Sequence, residues 1–331
     1  MSPTASSTIR LPRVAVVGPT ATGKSALALD LAERVQAIGP AARAEIINAD
    51  ASLLYRGMDI GTAKPTPVER AHVLHHQVDV LSVRDRASVA AFQRSARGDI
   101  DAVESRGHLP IIVGGSGLYV RALTDDLDFP GTDPAVRARL SERAEREGAP
   151  VLHAELSRVD PVAAERIEAS NTRRIVRALE VVEITGRPFS ASLPRYEDIA
   201  PTVHLALRCQ RALLDLRISA RARAMFEGGL VEEAEALIAE GLREGETASR
   251  AIGYAQALAV IDGRLSVDEA VASTALATRQ LASRQIKWFR RDPRLHWIDV
   301  ALTEAGQCTD SERSRLTRQA WELVCARRGV A

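Results

Sequence analysis

Aromatic residues are scarce in this chain: Phe, Tyr and Trp together make up only 4% of its 331 residues. A core of that composition must be assembled from Ala, Leu, Val and Ile, which favours helices packed on a parallel sheet over an aromatic-rich β-sandwich. Long apolar runs are absent too. None approaches the ~18 residues that a membrane span requires, so no membrane partner is expected. Residues 1–10, opening Met-Ser-Pro-Thr-Ala-Ser-Ser, read as a polar tail without the basic start and apolar stretch of a secretory signal. Cysteine is rare. Cys209, Cys308 and Cys325 are odd in number and form neither a C-x-x-C pair nor a zinc spacing, which points to free thiols in a reducing, cytoplasmic setting. Neither sign of charge dominates, and the net charge of +1 says nothing by itself about nucleic acid.

The distribution of charge says more. Arg173, Arg174 and Arg177 form one basic cluster, and Arg208, Arg211, Arg217, Arg221 and Arg223 form a second. A third, from Arg279 to Arg294, surrounds Trp288 and Phe289. A solvated helix face explains any one cluster alone. Three of them, one beside aromatics, favour local contact with a polyanion such as RNA.

The most specific local pattern is Gly18-Pro19-Thr20-Ala21-Thr22-Gly23-Lys24-Ser25, which completes G-x-x-x-x-G-K-[ST]. Val14–Val17 before it reads as a buried strand, and Ala26–Ala32 after it has helical period. Strand, glycine-bearing loop and helix in that order aim backbone N–H groups and a helix N-terminus at phosphate oxygens. Lys24 adds a point charge and Ser25 a hydroxyl suited to Mg²⁺. The chain therefore binds a phosphate or pyrophosphate.

Further along, strands are expected at Glu45–Asp50, Gln77–Val80, Leu109–Val113 and Val203–Leu207, with Ser88 capping a helix toward Val103. Alternation of strands and helices predicts an α/β fold: a P-loop NTPase-like parallel sheet flanked by helices, with ligands at the carboxyl ends of the strands. From about Asp133 to Glu183 the pattern is helical and charged. The expected organisation is a core over 11–130 and 197–300, a mainly helical insertion over 131–196 and a helical extension over 301–331. Asp50 closes the second strand and is the candidate general base for an acceptor or any weak nucleophile directed at the phosphate-bearing group. The third apolar run ends in Gly114-Gly115 rather than a carboxylate, which disfavours a motor-type NTPase. A small-molecule kinase and a non-catalytic RNA-binding protein are both open readings of these residues. His72, His75 and His76 are not expected to share a metal, because adjacent histidines cannot point to one face.

The run Asp50-Ala51-Ser52-Leu53-Leu54-Tyr55-Arg56-Gly57-Met58-Asp59-Ile60-Gly61-Thr62-Ala63-Lys64-Pro65 resembles the signature of the tRNA dimethylallyltransferases, also called tRNA isopentenyltransferases. Further matches follow in order: His75-His76, Gly114–Tyr119, Asp133-Pro134 with Arg137, Asn171 to Val181, Ala251–Tyr254, and Arg279 to Arg290. The resemblance covers roughly residues 12 to 299.

It implies transfer of a dimethylallyl group from dimethylallyl pyrophosphate to the exocyclic amine of the adenine 3′-adjacent to the anticodon. Asp50 would take the amine's proton, while the phosphate loop, Mg²⁺ on Ser25 and Arg221 would stabilise the leaving pyrophosphate. Contacts to the tRNA anticodon stem-loop are implied for Asp50, Ala51, Ser52, Leu53, Ser116, Arg137, Arg173, Arg174, Ile175, Val176 and Arg177, and for Arg250, Ala251, Ile252, Gly253, Tyr254 and Ala255. A monomer is the expected state. Ala51, Leu53 and Ala255 depart from the family pattern, and Ser116 replaces threonine while keeping the hydroxyl.

Overall fold

The structure, a computed structural model, describes residues 11–39, 41–192 and 196–327. The polar tail expected at 1–10 lies outside the described residues. Six strands are present: β1 (Arg13–Val17), β2 (Ala44–Asn48), β3 (His75–His76), β4 (Leu109–Gly114), β5 (Thr202–Arg208) and β6 (Leu295–Asp299). They form one sheet in the order β3-β2-β4-β1-β5-β6, and every pairing is parallel. The central strand β1 pairs Val14 with Ile111 on one side and Val203 on the other. Its near-continuous apolar sequence is what a strand covered on both faces requires. The fold is thus the α/β parallel sheet expected.

The helices are α1 (Lys24–Gln36), α2 (Pro67–His72), α3 (Val89–Ser105), α4 (Gly117–Thr124), α5 (Pro134–Glu147), α6 (Ala149–Val159), α7 (Pro161–Arg166), α8 (Thr172–Thr185), α9 (Arg211–Glu227), α10 (Leu230–Ala239), α11 (Tyr254–Ile261), α12 (Val267–Phe289) and α13 (Asp310–Ala326). On one sheet face Val14, Val16, Ile111 and Leu205 meet Leu27, Leu31 and Val35 of α1 and Leu316, Ala320 and Val324 of α13. A second core joins α9 to α12 through Leu214, Ile218, Phe226, Leu237, Tyr254 and Ala282, and it takes in Tyr55 and Met58. None of the described helices is long and apolar enough to cross a membrane.

The chain divides into two compact units, one running to Thr124 and resuming at Asp198, the other being Asp125–Glu197. The second contains α5 to α8, packed through Leu140, Leu152, Leu156, Ile175 and Leu179.

Two expectations about strands are corrected. Gln77–Val80 is not a strand: Gln77 and Asp79 both have φ of 59°, in the left-handed region, and β3 is the preceding His75–His76. The Gln77 amide instead donates to Ser95 (2.8 Å) and Asp99 (2.7 Å). Conversely, β6 had no expected counterpart. Its sequence, Leu-His-Trp-Ile-Asp, lies at the sheet edge and lacks the apolar run of an inner strand.

Beneath the sheet edge, Glu45 of β2 is 4% exposed and accepts from His76 (2.7 Å), Arg106 (2.8 Å) and His108 (2.6 Å). Burial pushes its carboxyl up, but those hydrogen bonds prevail and hold the pKa at about 2, below the ordinary 4.5. A depressed carboxylate contributes stability that is present above its unfolded pKa and lost as pH falls through the folded one. Glu45→Gln is therefore expected to cost about 2 kcal/mol or more at neutral pH. Chemical denaturation is expected to show a shallower loss of stability between about pH 4.5 and 2 in the variant than in the wild type. Equal stability at neutral pH would show that the cluster contributes nothing.

Candidate active site

The carboxyl edge of the sheet brings four segments together. After β1 the chain turns at Gly18, whose φ is 133° and where a Cβ would lie 2.6 Å from the Leu207 carbonyl oxygen of β5. Only glycine lets the loop leave the sheet so close to its neighbour. The loop closes on itself, with the Thr22 hydroxyl donating to the Pro19 carbonyl at 2.8 Å. Gly23, at φ 93°, caps α1 and starts that helix at Lys24. Lys24 Nζ also donates to the Pro19 carbonyl, at 2.8 Å.

Gln285 of α12 braces this loop from outside. Its side-chain oxygen accepts from the Thr20 N–H (2.8 Å), and its amide donates to the Gly115 carbonyl (3.0 Å) after β4. Sequence reasoning gave Gln285 no site role; its place in the Arg284-Gln285 match was the only signal.

Asp50 follows β2 and is oriented through its backbone. Asn48 accepts from the Asp50 N–H (2.8 Å) and donates to the carbonyls of Asp50 (3.0 Å) and Gln77 (2.8 Å). One Asp50 carboxylate oxygen accepts from the Ser52 N–H at 3.1 Å, capping the single turn Ala51–Leu54. Ser116, after the neighbouring β4, accepts from the Ala51 N–H at 3.4 Å.

These groups line a cavity of about 840 Å³. Lys24, Arg217 and Arg221 give it a cationic end with the Ser25 hydroxyl beside them, and Ile46, Leu53, Val78 and Val113 supply apolar wall. Arg217 and Arg221 stand one turn apart on α9, so they share a helix face. Burial lowers the Lys24 pKa to about 8; Asp50 opposes that shift and Arg221 adds to it. Burial likewise lowers the pKa of Arg221, with Asp50 again opposing and Arg217 adding. Lys24, Asp50 and Arg221 are thus mutually close. The Ser25 hydroxyl makes no hydrogen bond to another described residue, and among the described residues no group of three His, Cys, Asp or Glu is arranged to hold a metal ion. One hydroxyl beside a phosphate site is a donor set that fits Mg²⁺, which keeps much of its water and takes the rest of its ligands from phosphate.

The signature loop 57–65 forms part of the wall through Thr62, Ala63 and Pro65. Its specificity of sequence is a specificity of support. Lys64, with a side chain only 2% exposed, donates to the Tyr55 carbonyl (2.8 Å), Asp59 (2.5 Å) and Asp79 (2.5 Å). Glu233 of α10 accepts from the Ile60 N–H (2.9 Å) and from the Tyr254 hydroxyl (2.5 Å). A Cβ at Gly61 would sit 2.5 Å from the Tyr254 ring.

Several residues for which tRNA contacts are implied have side chains engaged within the fold. Tyr254 is fully buried and holds the loop, and Gly253 beside it is buried at the start of α11. Ala251, Ile252 and Ala255 are half-buried, whereas Arg250 is exposed. In the second unit Ile175 and Val176 face the unit's own core, so their side chains are closed to a ligand. Arg137 and Arg177 are pinned to the buried Glu180 carboxylate, at 2.5 and 2.9 Å. Arg177 also donates to the carbonyls of Pro130 and Gly131. Arg173 and Arg174 in the first turn of α8 are exposed, and their guanidinium groups make no hydrogen bond or ion pair with a described residue.

The family model for the IPP transferases matches residues 53–292. A Streptomyces coelicolor protein named tRNA dimethylallyltransferase is 53% identical over 314 residues, covering 95% of this chain and 96% of that protein. The solved tRNA isopentenylpyrophosphate transferase of Bacillus halodurans is 34% identical, with a TM-score of 0.65 over 95% of this chain and 97% of its own. A eukaryotic dimethylallyltransferase solved acting on tRNA, 23% identical, shares the fold with a TM-score of 0.74 over 91% of this chain and 77% of that one. With more than two thirds of its length under that family model and such relatives along nearly all of it, the chain belongs to the IPP transferase family.

Proposed function

We propose that this protein is a tRNA dimethylallyltransferase, moving the dimethylallyl group of dimethylallyl pyrophosphate onto the exocyclic amine of the adenine 3′-adjacent to the anticodon. One observation carries the reading: a single cavity holds a cationic end, apolar wall and one carboxylate. The diphosphate suits the Lys24 and Arg221 end, and the branched hydrocarbon suits Ile46, Leu53, Val78 and Val113. A kinase acceptor would not need that apolar wall.

The chemistry assigns roles to the chain's groups. The allylic carbon–oxygen bond breaks, its electron pair leaves with pyrophosphate, and the adenine amine bonds to the allylic carbon. Lys24, Arg221 and the N-terminal N–H groups of α1 stabilise charge growing on the leaving group, the kind of preorganised stabilisation that lowers such barriers most. Ser25 would hold Mg²⁺, whose contribution there is further neutralisation of phosphate charge. Asp50 accepts a hydrogen bond from the amine, orients it and takes its proton. The amine is a weak nucleophile because its lone pair is delocalised into the ring, so orientation and proton removal both matter. Ser52 and Ser116 flank Asp50 and suit contacts to the incoming base. Reaching the cavity requires the base to leave its stack, at modest cost in a single-stranded loop. The relatives' names support a tRNA acceptor, and a cytoplasmic, monomeric enzyme is part of the reading.

Incubation with dimethylallyl pyrophosphate, Mg²⁺ and unmodified tRNA, followed by nucleoside mass spectrometry, tests it. Wild type is expected to add one dimethylallyl group to adenosine. Asp50→Ala is expected to lower kcat by about 10²- to 10⁴-fold with tRNA affinity retained within a few-fold. No mass gain in wild type, or full turnover in Asp50→Ala, would contradict the reading. Arg173→Ala and Arg174→Ala are expected to weaken tRNA binding and flatten the slope of log K against log salt by about 0.7 to 0.9 each. Donor KM should not change. Equal affinities across a salt titration would remove α8 from the tRNA interface.

A further inference from the structure

Six ionisable side chains line the cavity: Lys24, Asp50, His75, Arg217, Arg221 and Cys308. Burial pushes His75 and Cys308 toward their neutral forms. Three cations therefore face one carboxylate. Lys24 and Arg221 have hydrogen-bond partners, the Pro19 and Thr62 carbonyls. Arg217 has none: among the described residues its guanidinium makes no hydrogen bond or ion pair. It is nonetheless only half-exposed, and close enough to Arg221 to lower that group's pKa. A guanidinium held partly out of water beside another cation, with nothing to accept from its five N–H donors, is costly unless an anion completes the arrangement.

The chain holds it there from the far end of the sequence. Between β6 and α13 the segment Thr303–Cys308 makes a tight turn, with the Gly306 N–H donating to the Thr303 carbonyl at 2.8 Å and the Thr303 N–H to the Gln307 carbonyl at 2.9 Å. Ala305, Gly306, Gln307 and Cys308 line the same cavity. Gly306, at φ 74°, lies against α9: a Cβ there would sit 3.3 Å from the Leu213 carbonyl oxygen and 3.4 Å from the Arg217 N. Beyond the turn, α13 is tied to α1 by Arg313, which donates to the Asp30 carboxylate at 2.8 Å, and by the Thr317 hydroxyl, which donates to the same carboxylate at 3.0 Å. The turn thus spans the two helices that carry Lys24 and the arginine pair. It lies outside residues 53–292, the part matched by the family model.

We infer that Arg217 is a second arginine on the leaving pyrophosphate, and that the C-terminal turn Thr303–Cys308 is the wall that positions it. This rests on the reading of the cavity as the donor site. Two arginines one helical turn apart can each take a different phosphate, so that both phosphates of the departing group are met. Two guanidinium groups can each make a bidentate contact with its own phosphate, doubling the charge-assisted hydrogen bonds.

Binding of dimethylallyl pyrophosphate and of inorganic pyrophosphate, measured by calorimetry on the full chain, tests this. Arg217→Gln is expected to weaken both by about 10- to 100-fold, leaving tRNA affinity and melting temperature unchanged. Arg217→Lys, which keeps the charge, is expected to recover part of that loss. Arg313→Gln, which frees α13 from α1, is expected to raise donor KM several-fold with kcat nearly constant. Wild-type binding with no loss in Arg217→Gln, or a loss that Arg217→Lys does not recover at all, would overturn the inference while leaving the donor site standing. A wild type that binds neither ligand would instead overturn the reading beneath it.

Discussion

The structure depends on one electrostatic constraint: three cations and a single carboxylate share a partly buried cavity at the carboxyl edge of the sheet. Burial penalises each charge and the repulsion between neighbouring cations adds to it, which is why Lys24 and Arg221 are both shifted toward their neutral forms. Asp50 is the counterweight within the chain, and it opposes both shifts. On the proposed reading an anion carrying more than one charge completes the balance. The same imbalance would then favour a leaving group on which negative charge grows, so that binding and catalysis draw on one feature.

Much of the remaining architecture keeps that cavity in shape, often with buried charge of its own. Lys64 gathers Tyr55, Asp59 and Asp79, and Glu233 holds Ile60 and Tyr254, so the loop of 57–65 is stapled from both sides. Gln285 ties the phosphate loop to the glycine turn after β4. Separately, Glu180 gathers Arg137 and Arg177 inside the helical unit. In each case a hydrogen-bonded polar cluster ties distant segments together. Where the charge is buried, as at Lys64 and Glu180, breaking one partner leaves it uncompensated, which explains why such short segments carry such specific sequences.

The phosphate loop and Asp50 were legible because their chemistry is local. Gly18, Gly23 and Lys24 act within eight residues, and a strand ending in a carboxylate is a short-range pattern. The inner strands were legible for the same reason, as apolar runs covered on both faces. Residues whose roles depend on distant partners were not. Tyr254 is implied as a tRNA contact by the resemblance alone, and its hydrogen bond to the distant Glu233 had no local signal. Ile175 and Val176 follow two exposed arginines but sit on the opposite face of α8, where helical periodicity sends them inward. Gln77 and Asp79 have strand-like neighbours, but their left-handed backbone is set by the hydrogen bonds of Asn48 and Lys64. Arg217 was visible as one charge in a cluster and as the neighbour of Arg221 in the resemblance, but nothing local says that it lacks a partner.

The central claim is that the phosphate loop serves to hold a leaving pyrophosphate and not to cleave a nucleotide. The most direct measurement is the stoichiometry of transfer in the absence of ATP, counting pyrophosphate and inorganic phosphate against modified adenosines in tRNA. One pyrophosphate released per dimethylallyl group transferred, no inorganic phosphate, and a rate indifferent to added ATP are the predicted results. Transfer that requires ATP, or phosphate release that tracks turnover, would contradict the account.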